Sequence, residues 1–235
     1  KNMARNPVFL MQCLIPAVLI PIIMVVVVFA GFNSDGMGLE QITQMAQQMP
    51  TNTFFIACII LGVIQFFTMF IYVSITAVSR DGENAVFMKY IPVSLYKQYI
   101  YKIIPNIIMN IVTILVTLGM AEYLLNLPVI TLIALFVVAT IMGILQSIAM
   151  IIVDLKRPKL NWDSEYAVAK QNLNLVFPVL LSMINIAILV GFVYLLKDIN
   201  VYIGVGILGI LYVMATFITN KYLYNKQYEL AEKII

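Results

Sequence analysis

The sequence contains an uncharged run of 26 residues from Pro128 to Val153, PVITLIALFVVATIMGILQSIAMIIV. An α-helix needs roughly 17–25 residues to cross the ~30 Å hydrocarbon core of a bilayer. Five further apolar stretches have a comparable length, so the sequence predicts six spans. These are residues 8–32, 53–78, 104–121, 128–153, 173–196 and 201–219. Because backbone groups in lipid must satisfy their own hydrogen bonds, we expect helices rather than open strands.

The basic residues are distributed unequally between the loops that separate these stretches. If the loops alternate between inside and outside, the Lys and Arg residues fall almost entirely on one side, and Lys197 alone lies opposite. The inside set is Lys1, Arg5, Arg80, Lys89, Lys97, Lys102, Lys156, Arg157, Lys159, Lys170, Lys221, Lys226 and Lys233. Positively charged loops stay in the cytoplasm. The pattern therefore predicts an all-α integral membrane protein with six transmembrane helices and both termini cytoplasmic.

Composition supports the membrane class and limits the number of domains. Charged residues make up 11% of the chain, whereas soluble domains average about 25%. The 235 residues leave little beyond six spans and their loops, so we expect a single transmembrane domain over residues 1–235. The net charge of +3 comes from residues next to the spans, which favours anionic lipid headgroups as partners rather than nucleic acid. Cys13 and Cys58 lie within spans and are interpreted as small buried hydrophobic residues.

Several kinds of chemistry lack the residues they need. The chain has no His, which excludes a His-based metal site, a Ser-His-Asp triad and an imidazole proton relay. No predicted span core contains Asp, Glu, Lys or Arg, which argues against a carboxylate-based carrier and an intramembrane protease. Neutral polar residues remain, and we expect most of them to bridge helices and a minority to line a path. They are Gln12, Gln65, Asn106, Asn110, Gln146, Ser182 and Asn185.

Two patterns of small residues predict close helix packing. The segment 204–209, GVGILG, matches the G-x-G-x-x-G pattern of dinucleotide sites. Such a site needs a preceding strand and an aqueous crevice, whereas these glycines lie within the predicted sixth span. We therefore predict helix packing for Gly204, Gly206 and Gly209. A second ridge of small residues, spaced every four positions, is Ala139, Gly143 and Ser147.

The inside segment after the second span has features of a docking surface. Gly82 is expected to break the helix, Pro92 to end the short helix that follows, and Ser94 to cap the next one. Phe87 and Tyr90 would form apolar surface on this short helix. A simple connector does not need a short helix between two breaks, whereas a surface that binds another protein does.

The second long inside loop contains three residues of note. Pro158 prevents the fourth helix from continuing. Trp162 lies at the predicted membrane boundary, where amphipathic rings are favoured. Glu165 places negative charge at the start of the next helix.

These two loops resemble those of permease subunits of type-2 ABC exporters. The matching residues are Arg5-Asn6-Pro7, Ser79-Arg80-Asp81-Gly82, Met88-Lys89, Pro92-Val93-Ser94 and the stretch from Asp154 to Trp162, continuing through Lys170-Gln171-Asn172. The second stretch is similar to a signature of Gram-positive bacterial permeases built from two six-span halves. By topology the resemblance covers the whole chain, and by motif it covers about 40 residues. The chain departs from the family in a truncated elbow helix and in a short last outer loop, and no substrate is assigned by analogy.

The resemblance implies a multi-pass protein of the bacterial cell membrane without catalysis of its own. ATP and Mg²⁺ would bind to a separate ATPase subunit, since the chain has no G-x-x-x-x-G-K-[ST] phosphate loop. A coupling helix in the first inside loop, residues 79–103, would contact that subunit. The implied contact residues are Asp81, Gly82, Glu83, Phe87, Met88, Lys89 and Tyr90. We expect the chain to be a fragment or one half of a longer permease, completed by a second half or a homodimer.

Two other functions remain open. A secondary carrier or channel would need an ionisable group or a broken helix near the middle of the membrane. A membrane scaffold or assembly protein would need only loops that bind partners.

Overall fold

The computed structural model describes residues 19, 22, 23, 53–162, 168, 172–196 and 199–234, and every element within these ranges is helical. The α-helices are α1 (Thr53–Thr68), α2 (Leu95–Leu125), α3 (Val129–Lys156), α4 (Val176–Leu195), α5 (Val201–Asn225) and α6 (Gln227–Glu232). Two 3₁₀ segments cover Ser79–Lys89 and Leu173–Leu175. No strand occurs in the described residues. The all-helical prediction is therefore confirmed for this part of the chain.

Four helices are long and apolar enough to cross a membrane: α2, α3, α4 extended by Leu173–Leu175, and α5. The predicted third and sixth spans lie within these helices, and the fourth and fifth each extend one residue beyond them, at Pro128 and Leu196. Helix α2 begins nine residues before the predicted start at Ile104. The prediction for residues 8–32 falls almost entirely outside the described residues. Neither the count of six spans nor the orientation of the termini is tested, and both stay predictions.

The expectation that the whole of the predicted second span, residues 53–78, is helical is wrong. Helix α1 ends at Thr68, and its 16 residues rise only about 24 Å. The chain continues through turns to Val78 with seven of its last eight residues buried. β-branched residues are frequent in this stretch and favour helix less than unbranched ones do. Tertiary partners then supply hydrogen bonds that a helix would have formed internally.

Two such partners, Asn106 and Lys102, lie on α2. The Asn106 side-chain oxygen accepts a hydrogen bond from the Ser74 amide at 3.1 Å. Lys102 Nζ donates to the Ala77 carbonyl at 3.2 Å. Irregular backbone at membrane depth is tolerated only where protein or a water-filled cavity surrounds it. The burial of residues 73–79 satisfies that condition.

Helix α3 lies at the centre of the bundle and contacts α1, α2, α4 and α5. Two apolar clusters surround its two halves. The first contains Leu135 and Val138 of α3, Phe54 of α1 and Leu208 of α5. The second surrounds the other half of α3 and joins the 3₁₀ segment Ser79–Lys89 to the start of α2 and to α6. The end of α3 that carries Lys156 therefore holds together the loops that follow α1 and α3 and the C-terminal helix.

The C-terminal helix is anchored to α2. Gln227 accepts a hydrogen bond from the Tyr96 amide at 3.0 Å, and its carbonyl accepts one from the Tyr99 hydroxyl at 3.3 Å. An exposed ion pair joins Lys226 to Glu229. The lysine lowers the pKa of the Glu229 carboxyl from its ordinary value, through a hydrogen bond first and charge second.

Candidate functional site

The loops that follow α1 and α3 meet at a buried carboxylate, Asp154, in the last turn of α3. One carboxylate oxygen accepts hydrogen bonds from the amides of Val78 and Ser79 at 2.6 and 3.1 Å. The other accepts a hydrogen bond from the Ser79 hydroxyl. Asp154 and Ser79 are both completely buried. Hydrogen bonds to a charged acceptor are about twice as strong as neutral ones, so this carboxylate fixes the start of the 3₁₀ segment.

The second loop closes over the same serine. The Lys159 amide donates to Ser79 Oγ at 2.9 Å, and Trp162 Nε1 donates to the Ser79 carbonyl at 3.0 Å. We call Ser79, Asp154, Lys159 and Trp162 the Asp154 cluster. Its members lie 75 to 83 positions apart in sequence from Ser79. The cluster therefore joins the loop that follows α1 to the loop that follows α3.

Gly82 shapes the segment next to this cluster. Its φ of 56° and ψ of −136° interrupt the 3₁₀ helix, in a region that residues with a side chain rarely adopt. A Cβ at this position would lie 3.1 Å from Nε1 of Trp162 and 3.2 Å from two ring carbons. The predicted break at Gly82 is thus confirmed, and the indole ring packs where a side chain would project.

Helix α2 holds the rest of the segment. Lys102 forms an ion pair with Asp81, and both side chains are about three-quarters buried. Gln98 Nε2 donates to the carbonyls of Met88 and Val93 at 2.9 and 2.8 Å. Ser94 occupies the N-cap position of α2 as predicted, but its side chain makes no capping hydrogen bond. The 79–93 segment is consequently anchored at its start and at its end.

The residues implied as ATPase contacts divide into an outer set, an inner set and Asp81, which is partly exposed and pairs with Lys102. The exposed set is Glu83, Phe87, Lys89 and Tyr90. Phe87 is 62% exposed and Tyr90 is 77% exposed, with Ile91 and Val93 extending the apolar surface. Gly82 and Met88 face inward and are buried against this chain. The exposed residues could therefore contact a partner directly, whereas Gly82 and Met88 shape the segment from within. The docking role itself stays a prediction.

The second-loop predictions have different outcomes. Helix α3 ends at Lys156, two residues before Pro158, as expected for a proline that blocks continuation. Trp162 is half-buried against the first loop. Its ring therefore has a structural partner in addition to any interfacial preference. Glu165 lies outside the described residues.

Most of the small residues predicted to pack helices do so. Ala139, Gly143 and Ser147 are buried, and a Cβ on Gly143 would lie 3.0 Å from Nδ2 of Asn110. A Cβ on Gly204 would overlap the Phe54 ring, and one on Gly209 would touch Val138 at 3.4 Å.

Gly206 is the exception. It is exposed, and an added Cβ there would meet nothing within 4 Å. The packing prediction is wrong at this position because Gly206 lies two residues from Gly204 and so points away from α1.

The neutral polar residues in the spans bridge helices, as predicted for most of them. Gln65 Nε2 donates to Gln146 Oε1 at 2.9 Å and to Ser182 Oγ at 3.0 Å, joining α1, α3 and α4. Three more bonds connect other helix pairs, between Asn106 and Ser147, Asn110 and the Gly143 carbonyl, and Tyr212 and Asn185. Interhelical hydrogen bonds are a usual means of helix association in membranes. Gln12 is outside the described residues.

An apolar groove of about 510 Å³ runs between α1 and α4. Cys58, Gly62, Phe66, Leu189 and Val193 are among its lining residues. Among all the residues that the structure describes, no three His, Cys, Asp or Glu side chains are grouped so as to hold a metal ion.

Sequence reasoning missed the two residues on which the site depends. Asp154 was treated as the first residue of a loop because it directly follows an apolar span, yet α3 includes it. Ser79 belongs to the Ser79-Arg80-Asp81-Gly82 stretch that resembles exporter permeases, but nothing in that stretch predicts a contact with Asp154. The available signal was an acidic residue, Asp154, at the end of one span, together with a segment after another span that is predicted to break at Gly82.

Comparison of the chain with known protein families, curated proteins and solved structures finds no match.

Proposed function

We propose that this chain is the permease subunit, or one half of the permease, of an ATP-driven ABC exporter. A separate ATPase would dock on the 79–93 segment, which we call the docking segment. A second permease half or a second copy would complete the translocation path. The proposal places ATP, Mg²⁺ and hydrolysis on the partner and assigns no catalytic residue to this chain.

The observation that supports the proposal is the exposed apolar surface of the docking segment. Phe87 and Tyr90 project from a segment whose backbone is tied to two helices. Exposed aromatic residues on a rigid support are typical of binding hot spots. Glu83 and Lys89 flank them, which supplies charge for orientation of a partner. A connector without a partner has no need to expose these rings.

The neutral midplane contacts favour this reading over a carboxylate-based carrier. In the described portions of the spans, the bridging groups at the centre are amides and hydroxyls, and they are bonded to one another. Coupling by protons or sodium needs ionisable or carbonyl-lined sites there. Two alternatives remain. One is a scaffold with a partner other than an ATPase, and the other is a carrier or channel, because the chain leaves the helix after Thr68 within the predicted second span. The same experiment distinguishes both from an exporter.

The test is purification of the full-length protein from its native membrane, followed by cross-linking and mass spectrometry of the proteins that accompany it. A stoichiometric ATPase cross-linked to residues 79–97 is the expected result. A stoichiometric partner of another class would replace the exporter with a scaffold, and absence of any ATPase would refute the proposal.

Substitution of the exposed rings then tests the surface itself. We expect the double variant Phe87→Ala/Tyr90→Ala to lose about 2 kcal/mol or more of ATPase binding, roughly thirtyfold in Kd. Tyr194→Ala is the matched control, because Tyr194 is 85% exposed at the far end of α4. Equal Kd values for both variants would contradict the assignment of the surface. Glu83 is a better charge variant than Asp81, since Asp81 already pairs with Lys102.

A further inference from the structure

We propose that Asp154, Ser79 and Trp162 are positioning residues that fix the docking segment to the end of α3. The segment and this helix then move as one unit. The consequence for transport rests on the proposed function, because it requires an ATPase on the docking segment. The attachment itself depends only on contacts within this chain.

Every polar group of Ser79 is used in this attachment. Its amide and hydroxyl both donate to Asp154. Its hydroxyl oxygen accepts from the Lys159 amide, and its carbonyl accepts from Trp162 Nε1. Ser79 is completely buried, so water cannot replace a partner that is lost. A displacement of residue 79 relative to α3 therefore has to break several bonds together.

The steric contact at Gly82 adds a second constraint. The indole ring of Trp162 occupies the space beside the Gly82 α-carbon. The segment turns at this glycine with a φ of 56°, so the ring and the turn fit only in one relative placement. The ring thereby links the second loop to the point at which the exposed part of the docking segment begins.

Helix α3 gives the attachment a path into the membrane. It is a continuous helix of 28 residues that contacts α1, α2, α4 and α5. A helix of this length acts as a rigid element, and rigid elements carry coupling between distant sites. A partner that moves the exposed rings of the docking segment would thus move the centre of the bundle through Asp154.

Amide hydrogen exchange of the purified full-length protein, read by mass spectrometry, tests the attachment directly. Asp154→Ala removes the acceptor of two backbone amides, and Trp162→Phe removes one donor while it keeps an aromatic ring beside Gly82. Asp154→Ala removes three hydrogen bonds to a buried carboxylate. The loss of even one such bond corresponds to about a tenfold rise in exchange, so we expect exchange in residues 78–89 to rise about tenfold or more. A smaller rise in the same residues is expected for Trp162→Phe, which also covers the case in which Asp154→Ala does not fold.

The control is Ser182→Ala, which removes a buried hydrogen bond between spans and leaves the Asp154 cluster intact. Exchange in residues 78–89 should be the same in this control as in the unmodified protein. The proposal is overturned if both cluster variants leave this exchange unchanged. It is equally overturned if they raise exchange to the same degree in α4 and α5, since the residues would then stabilise the fold in general.

A second measurement separates positioning from docking. With the co-purified ATPase, Trp162→Phe should bind with unchanged Kd, because its ring is not part of the exposed surface, yet stimulate hydrolysis several-fold less. Unchanged stimulation would refute the transmission of movement through the cluster. If no ATPase binds even the unmodified protein, the proposed function fails, while the exchange experiment still decides the attachment.

Discussion

Two glycines on α5 should respond in opposite directions to the same substitution. Gly204 packs against Phe54, whose ring is completely buried; an added Cβ would overlap two ring carbons and lie 3.0 Å from Cγ. Gly206 is exposed, and an added Cβ there would meet nothing within 4 Å. Replacement of Gly by Ala within a helix stabilises it by about 0.8–1 kcal/mol when nothing obstructs the methyl group. We therefore expect Gly206→Ala to be neutral or stabilising.

At Gly204 the gain in helix propensity is opposed by overpacking. Forcing an extra methyl group into a packed core costs about 1–3 kcal/mol. Because both variants share the propensity term, Gly204→Ala should be less stable than Gly206→Ala by about that amount. For a chain of this size the difference corresponds to roughly 2–12 °C in the unfolding midpoint.

The measurement uses the thiol of Cys58, which is buried in the same apolar cluster as Phe54. In a Cys13→Ser background, a thiol-reactive dye would report exposure of Cys58 as the temperature rises. Phe54→Leu, combined with Gly204→Ala, should recover part of the loss in a double-mutant cycle. Equal midpoints for Gly204→Ala and Gly206→Ala would refute the packing of α5 on α1.

Three further outcomes follow from the structure. Gly82→Ala should destabilise the docking segment by about 1–3 kcal/mol because of its backbone conformation, and adding Trp162→Ala to this variant should relieve only the steric part of that cost. The fluorescence of the single Trp in the Gly82→Ala protein would report the change. An unaltered spectrum and an unaltered stability would contradict the prediction. Ser182→Ala should lower the free energy of unfolding by about 0.6–1.7 kcal/mol, which is typical of interhelical hydrogen bonds in membranes. Gln65 Nε2 keeps its other acceptor, Gln146 Oε1, in this variant. A thermal midpoint equal to that of the unmodified protein would argue against the hydrogen bond between Gln65 and Ser182. The lowered pKa of Glu229 means that its ion pair with Lys226 stabilises α6 above the ordinary glutamate pKa, and that this contribution is lost as the pH falls through the lowered value. The protection factors of residues 227–234, which correct for the slower intrinsic exchange of amides at acid pH, should therefore fall as the pH is lowered in the unmodified protein and change less in Glu229→Gln.

The helices of this protein were largely predictable from its sequence. An apolar run such as residues 128–153 has one stable backbone arrangement in lipid, so hydropathy alone locates the helix. The end of α1 at Thr68 was not predictable in this way. The residues that follow are as apolar as a span, and the chain leaves the helix because Asn106 and Asp154 satisfy its backbone from other helices.

The docking segment was predictable as a broken polar stretch, since Gly82 and Pro92 act on the backbone locally. Which of its side chains face outward was not predictable, because Met88 and Phe87 are neighbours in the sequence and differ only in what lies next to them. The same holds for the two glycines of α5. Their identical chemistry and close spacing give no indication that only Gly204 meets a ring.

The helical class, the approximate positions of the apolar helices and the break at Gly82 follow from the sequence alone, because length, hydropathy and backbone restrictions act within a few residues. Only the tertiary structure decided that Ser79, Asp154 and Trp162 meet, and thereby joined two loops that are about 80 positions apart. The reason is that a hydrogen bond between distant residues depends on how helices pack, and no local pattern specifies that packing.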